Sequence, residues 1–519
     1  MRGQINKLVL GCTLIVIALI WGAQTQAATH EPKGKLVVAV TSLHEESPHP
    51  FRQTAGGMTQ HLSHLCDSLT RWNHEGKEVP AIAESWKIAD GGNVWEFKLR
   101  DGVRFHNGQI LTTEDVKFSI EAILNPEFKH TNMSMLRRFL DKIEVVDKLH
   151  FKVYTKVPVA MLPDYINAWI APKEYYERLG EKEFSQKPVA AGPFKYVTRK
   201  PSDSLELEAF KDFYDSNRIP HTDKLIFKII PDVRTKMAAF QAGEVDIIDQ
   251  VPSHSINEVK TGAGFKVFVS PYSGYSELTF TDLIREGASP VKDKRVRQAL
   301  LYAIDRQTII KRLYFGEAAP QVAAGFLPHI RGYDPSLKPQ PYDLDKAKAL
   351  LAEAGYANGF STEITYFDSP AVPAIPDMME AVGSYWSKIG VKATLTKLET
   401  GAAMAKFREK TLPGIPVLAG MLGRDVGVMA EGFFQTGGPW SYWSNAEMDG
   451  LLTKHMAIMD PQKRNEHLHK VMKLVYEELP RIPLLSVNAI AGGGPKVVDW
   501  KRIPGSPYLL NLESVVLKD

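Results

Sequence analysis

DKRVRQALLYAIDRQTIIKRLYFG, residues 293–316, is the most informative stretch of the 519-residue chain. Val296, Ala299, Leu300, Ala303 and Ile304 recur at three- and four-residue spacing, which places them on one buried stripe of a helix. Asp305 interrupts that stripe and caps a second helical run, whose apolar side is Ile309, Ile310 and Leu313. Gly316 stands where a helix C-terminus calls for a positive φ. The spacing therefore predicts two short helices with a cap between them.

Outward from this stretch, LTTEDVKFSIEAILNP (residues 111–126) reads as another capped helix. Thr113 is its expected N-cap, and Glu114 and Asp115 lie in the first turn, where the helix dipole favours anions. Val116, Ile120 and Ile123 form the apolar stripe, and Asn125-Pro126 ends it. GKLVVAV (34–40), LIFKIIP (225–231) and EVDIIDQV (244–251) read as strands, the last two separated by a helix over 233–242. VWEFKL and LHFKVY are strand-like pieces of the region 84–154. Alternating strands and helices predict α/β layers, and the length predicts two or three packed units.

The stretches 293–316 and 111–126, with AAGPFKYVTRKPSDSLELEAFKDFYD (190–215), YDLDKAKALLAEAGYANGF (342–360) and SNAEMDGLL (444–452), closely resemble the signature segments of extracellular solute-binding protein family 5, in the same order. That family comprises the peptide- and nickel-type binding proteins that feed ABC importers. The resemblance implies an α/β, two-lobed periplasmic binding protein (Venus flytrap) with an extra subdomain in the first lobe. Its implied organisation is a signal peptide over 1–27, lobe I over 28–270 with an inserted subdomain at about 70–200, lobe II over 271–495, and a return to lobe I over 496–519. Composition breaks at 270–274 and 492–494 then become the two hinge crossings, with glycines that absorb backbone rotation.

The N-terminus has the build of a secretory signal. Arg2 and Lys7 precede an uncharged apolar run over 8–21, and Thr25-Gln26-Ala27 is an acceptable cleavage site. The run is shorter than the roughly 20 residues of a bilayer-spanning helix. The chain carries 63 basic and 60 acidic residues, so cleavage leaves a net charge of +1 and argues against a nucleic-acid binder. Only Cys66 would remain, which precludes an intramolecular disulfide; its apolar neighbours suggest a small buried hydrophobe.

Catalytic patterns are absent: there is no GxxxxGK[ST] loop, no GxSxG elbow and no zincin HExxH. The nearest approach to a metal set is His61, His64, Cys66 and Asp67, for which a structural role is expected, and no metal or cofactor is assigned. His467 and His469 are expected on a solvated surface. Binding chemistry stands out more. The resemblance implies ligand contacts from Thr41 and Ser42, from the small-residue loop with Gly56, Gly57 and Met58, from Tyr272 and Tyr275 at the first crossing, and from a second-lobe loop with Met421, Gly423, Arg424 and Asp425. In dipeptide-type members an aspartate at the position nearest Asp425 pairs with the peptide amine, and here Arg424 is its nearest alternative partner. Two departures stand against a dipeptide fixed at both ends: Met421 replaces the family's tryptophan, and residues 365–376 contain no arginine to clamp a carboxylate.

The expected function is thus the periplasmic substrate-binding component of an ABC importer, a monomer that binds a peptide or peptide-like solute and meets the permease and ATPase subunits without catalysis or nucleic acid. The alternatives are a nickel or metal-chelate carrier of the same fold, kept open by His44, His49, His61 and His64, and an exported hydrolase with an unrecognised site.

Overall fold

The computed structural model describes residues 30–43, 48–53, 56–130, 133–369, 371–420 and 423–518. The signal segment, His44 and Met421 lie outside the described residues. The stretch 293–316 folds as its spacing predicts, into helices Lys294–Tyr302 and Arg306–Leu313. Asp305 caps the second by accepting from the Thr308 amide at 3.0 Å, and Gly316 has φ +86°. The apolar stripe is buried against helix Ile375–Ser387, whose Trp386 is fully buried and donates to the Leu300 carbonyl at 3.0 Å.

The arginines of the stretch have a role that periodicity does not show. Arg297 donates to the carbonyls of Glu478 (2.7 Å) and Leu479 (3.0 Å), closing the C-terminus of helix Pro461–Glu478. Arg306 donates to the carbonyls of Gln321 (2.8 Å) and Pro483 (2.9 Å). Each guanidinium satisfies orphan carbonyls from segments distant in the chain, as buried backbone acceptors require.

A nine-stranded mixed sheet runs through both lobes among the described residues. In the first lobe Lys35–Val40 lies parallel to Lys224–Ile229 and to Ile247–Ile248. The long strands Lys266–Thr279 and Arg481–Gly493 pair antiparallel along their length and carry the sheet into the second lobe, where Val417–Gly420 adds an edge. Their ladder is interrupted between Ser270 and Gly274. A separate antiparallel four-stranded sheet, Ala83–Ala89, Val94–Leu99, His150–Thr155 and Leu140–Val145, has its own core with the helix Thr113–Ala122.

Two local expectations are corrected. The cap of helix Thr113–Ala122 is Thr112, not Thr113: Thr112 is extended, and its amide donates to Asp115 at 2.9 Å. The Thr113 hydroxyl instead donates to the Asp147 carbonyl. The strand expected over 244–251 shrinks to Ile247–Ile248, because Asp246 and Asp249 accept the Val37 and Thr41 amides with their side chains (2.8 and 3.1 Å). The glycines at the crossings serve close packing. A Cβ on Gly274 would lie 2.2 Å from the Ala371 carbonyl oxygen, and one on Gly493 would lie 2.4 Å from the Phe268 ring, while neither residue has positive φ.

Candidate functional site

A cavity of about 420 Å³ lies between the lobes. Helix Thr59–Leu65 supplies Thr59 and Ser63, and the short strand Thr70–Trp72 supplies all three of its residues. That strand is turned back onto Glu78–Pro80 by a tight loop in which the Asn73 side chain accepts from the Glu75 and Lys77 amides, both at 3.0 Å. Asp164 and Tyr165 end the helix Leu162–Tyr165, and the C-terminal return adds Ile503 and Leu510. The second lobe contributes Gly423, Arg424, Asp425 and Val428.

Asp425 is the N-cap of helix Val426–Phe433, accepting from the amides of Gly427 (2.9 Å) and Val428 (3.2 Å). Its ion-pair partner is Arg464, not Arg424, which the sequence offered as the alternative to a solute amine. Asp425 and Arg464 meet in a bidentate pair at 2.6 and 2.9 Å, both side chains buried. Arg464 also donates to the His455 carbonyl at 3.1 Å. The aspartate is thus embedded in a satisfied network, which offsets the cost of burying an ion pair.

The neighbouring Arg424 is placed differently. Its backbone is fixed, its carbonyl accepting from the Arg331 amide at 2.9 Å. Its guanidinium carbon lies 4.4 Å from the centroid of the Trp72 ring, and that of Arg331 lies 5.4 Å from the same ring. Burial lowers the Arg424 pKa to about 10. Arg331 makes ion pairs to Asp164 and, at 3.7 Å, to Glu78, tying the lobes together. Arg138 and Glu431 (3.0 Å) add a second such link, and the Ala160 amide donates to the Met456 carbonyl at 2.9 Å. Five cavity-lining groups hold a buried polar atom without a hydrogen-bond partner: Ser63 Oγ, Arg71 Nε, Tyr165 OH, Arg424 Nη1 and Glu513 Oε2.

Glu78 has a pKa raised to about 7, by burial first and then by the Asp164 charge, with Arg331, the Thr70 hydroxyl and Arg424 opposing. Between about pH 4.5 and 7 the folded protein therefore holds a proton that the unfolded chain has released. This group's contribution to stability declines as pH rises through that window. Glu78→Gln is expected to flatten the wild-type loss of melting temperature across it; parallel curves for the two proteins would refute the assignment.

Of the residues singled out in the sequence, Gly423, Arg424 and Asp425 reach the cavity. Thr41, Ser42, Gly56, Gly57, Met58, Tyr272 and Tyr275 are not among its lining. The Thr41 hydroxyl accepts from Lys236 at 2.7 Å. Gly56–Met58 forms the turn that leads into the helix bearing Thr59 and Ser63, with Met58 buried in the first-lobe core. Tyr275 is buried beside Phe433 in the second-lobe core, and Tyr272 (φ +54°) stacks on His329. Cys66 is buried among apolar side chains, and His64 bonds the Leu509 carbonyl at 2.9 Å. His467 is not fully solvated: it bonds the Leu451 carbonyl at 2.8 Å. Trp72, Tyr165 and the C-terminal wall carried no motif by which the sequence could reveal them.

A sheet shared by two lobes, with a cavity between them, defines a periplasmic binding protein of the two-lobed class. The family model for "Bacterial extracellular solute-binding proteins, family 5 Middle" matches residues 77–414. The chain belongs to that family. It is 28% identical over 458 residues to heme-binding protein A of Haemophilus influenzae, covering 82% of each chain. It is 26% identical over 451 residues to a glutathione-binding protein of Escherichia coli, covering 84% of this chain and 85% of that one. Among solved structures, HbpA2 from Haemophilus parasuis superposes with a TM-score of 0.80 at 26% identity, covering 93% of this chain and 100% of the other.

Proposed function

We propose that this protein is the exported receptor of an ABC importer, which holds a peptide or peptide-like solute between its lobes in the periplasm and passes it unchanged to the permease. The observation that carries this reading is the interlobe cavity with five unpartnered buried polar atoms. Buried donors and acceptors are normally satisfied, and a cavity of this volume falls in the range of small-molecule sites. The likeness to a glutathione-binding protein supports a peptide-like occupant, and the basic, then apolar, N-terminal segment supports export. Among the described residues no helix is long and apolar enough to cross a membrane.

Binding would shift an open–closed equilibrium toward the closed form. Native mass spectrometry of the protein purified from the periplasm is expected to show an organic adduct with the mass of a small peptide, released on denaturation. Small-angle scattering is expected to show a smaller radius of gyration when the stripped protein is given that solute at saturation. Stoichiometric nickel without an organic adduct would instead support the metal carrier, and turnover of the solute would support the hydrolase.

A further inference from the structure

The charged residues lining the cavity are almost all committed to one another. Asp67 and Glu513 both pair with Arg218 (2.7 and 3.1 Å), Asp164 pairs with Arg331, and Asp425 pairs with Arg464. Arg71 faces Asp215 at 3.8 Å. Arg424 differs: among the described residues no carboxylate oxygen lies within 4.0 Å of its guanidinium, and its Nη1 is buried without a partner. The Trp72 ring, 4.4 Å away, holds the guanidinium in one orientation. A planar, oriented, weakly hydrated cation of this kind suits a bidentate carboxylate.

On the solute-receptor reading above, we propose that the solute is bound through a carboxylate seated on Arg424, with Trp72 as platform and the Tyr165 hydroxyl as a second donor from the other lobe. Tyr165 is 8% exposed and its hydroxyl has no partner. Burial and the nearby charges of Asp425, Glu431 and Asp164 raise its pKa, so it remains a donor at neutral pH. The polarity is the reverse of that expected from the sequence. The second-lobe loop presents a cation, so the acidic end of the solute points toward it. Each lining carboxylate is already in an ion pair, and the second oxygen of Glu513, which has no hydrogen-bond partner, lies 3.7 Å from His64 Nδ1. The favoured class is therefore carboxylate-bearing solutes, including peptides whose amine is blocked.

Calorimetric titration with matched tripeptides tests this: each as the free acid, the C-terminal amide and the N-acetylated acid. The free and N-acetylated acids are expected to bind alike and the amide at least about 30-fold more weakly, the lower end of the effect of breaking a buried charged pair. Arg424→Gln should erase the preference for acid over amide while the unliganded protein melts with the wild type. Tyr165→Phe should keep the same melting temperature and lose about 5-fold in affinity for the acid. Equal binding of acid and amide by the wild type, or an acid preference that survives in Arg424→Gln, would overturn the Arg424 assignment alone. Failure of every tripeptide form to bind the wild type would overturn the peptide-like reading on which it rests.

Discussion

Arg464→Met is expected to destabilise the protein by about 3–5 kcal/mol, the usual consequence of leaving one member of a buried ion pair uncompensated. The change strands Asp425, which is 1% exposed and fixed by two backbone amides at the start of helix Val426–Phe433. Asp425→Asn should also lower stability, while solute affinity changes little, because both carboxylate oxygens are already engaged by Arg464. Combining the two substitutions should cost less than the sum of the single effects, since neither residue is then left as a lone buried charge. Denaturant melts of the three variants, with titration of the native-state adduct, check these results. A marked loss of affinity in Asp425→Asn without a loss of stability would show that the aspartate serves the solute.

Trp386→Ala should cost about 3–5 kcal/mol. The indole is fully buried beneath the helix Lys294–Tyr302, and its removal deletes the largest fully buried side chain among the described residues together with its bond to Leu300. The loss should be global to that lobe. Chemical denaturation should show a lower midpoint, and a second transition is expected if the first lobe, with its separate cores, outlasts the second. An unchanged midpoint would mean that the site collapses around the deletion far better than its packing suggests.

The helices around residues 293–316 were legible because their determinants are local. The three- and four-residue spacing, the Asp305 cap and the Gly316 turn all act within a few residues of themselves. The roles of Arg297 and Arg306 were not legible, because the carbonyls they satisfy lie as far as 182 residues away. The same contrast holds in the cavity. The second-lobe loop could be located because it resembles a family segment. Trp72 and Tyr165 could not, since nothing in SLTRW or LPDYINAW distinguishes a cavity wall from a core. Tyr275 illustrates the opposite error: an aromatic at a crossing fits a binding surface and a core equally well, and folding put it in the core. For Asp425, a solute amine and its neighbour Arg424 were the candidate partners on paper, whereas a helix cap turns its side chain toward a different helix.

The interruption between Ser270 and Gly274 bears on mechanics. On one side of it Ser270 pairs with Ala489, and on the other Gly274 pairs with Val487, so residues 271–273 stand opposite Asn488 alone. The Tyr272 amide donates to the Asn488 side chain at 3.2 Å instead of to a strand. A sheet made this way resembles a leaf spring with one soft section: flexing concentrates where no interstrand backbone bond has to rupture, and the stiff ladders on either side move as plates. The resistance to opening then resides in the contacts between the lobes, Arg331–Asp164, Arg138–Glu431 and the Ala160–Met456 backbone bond, rather than in the crossing strands. Loosening those clasps should change how long the jaws stay shut without changing the path along which they swing.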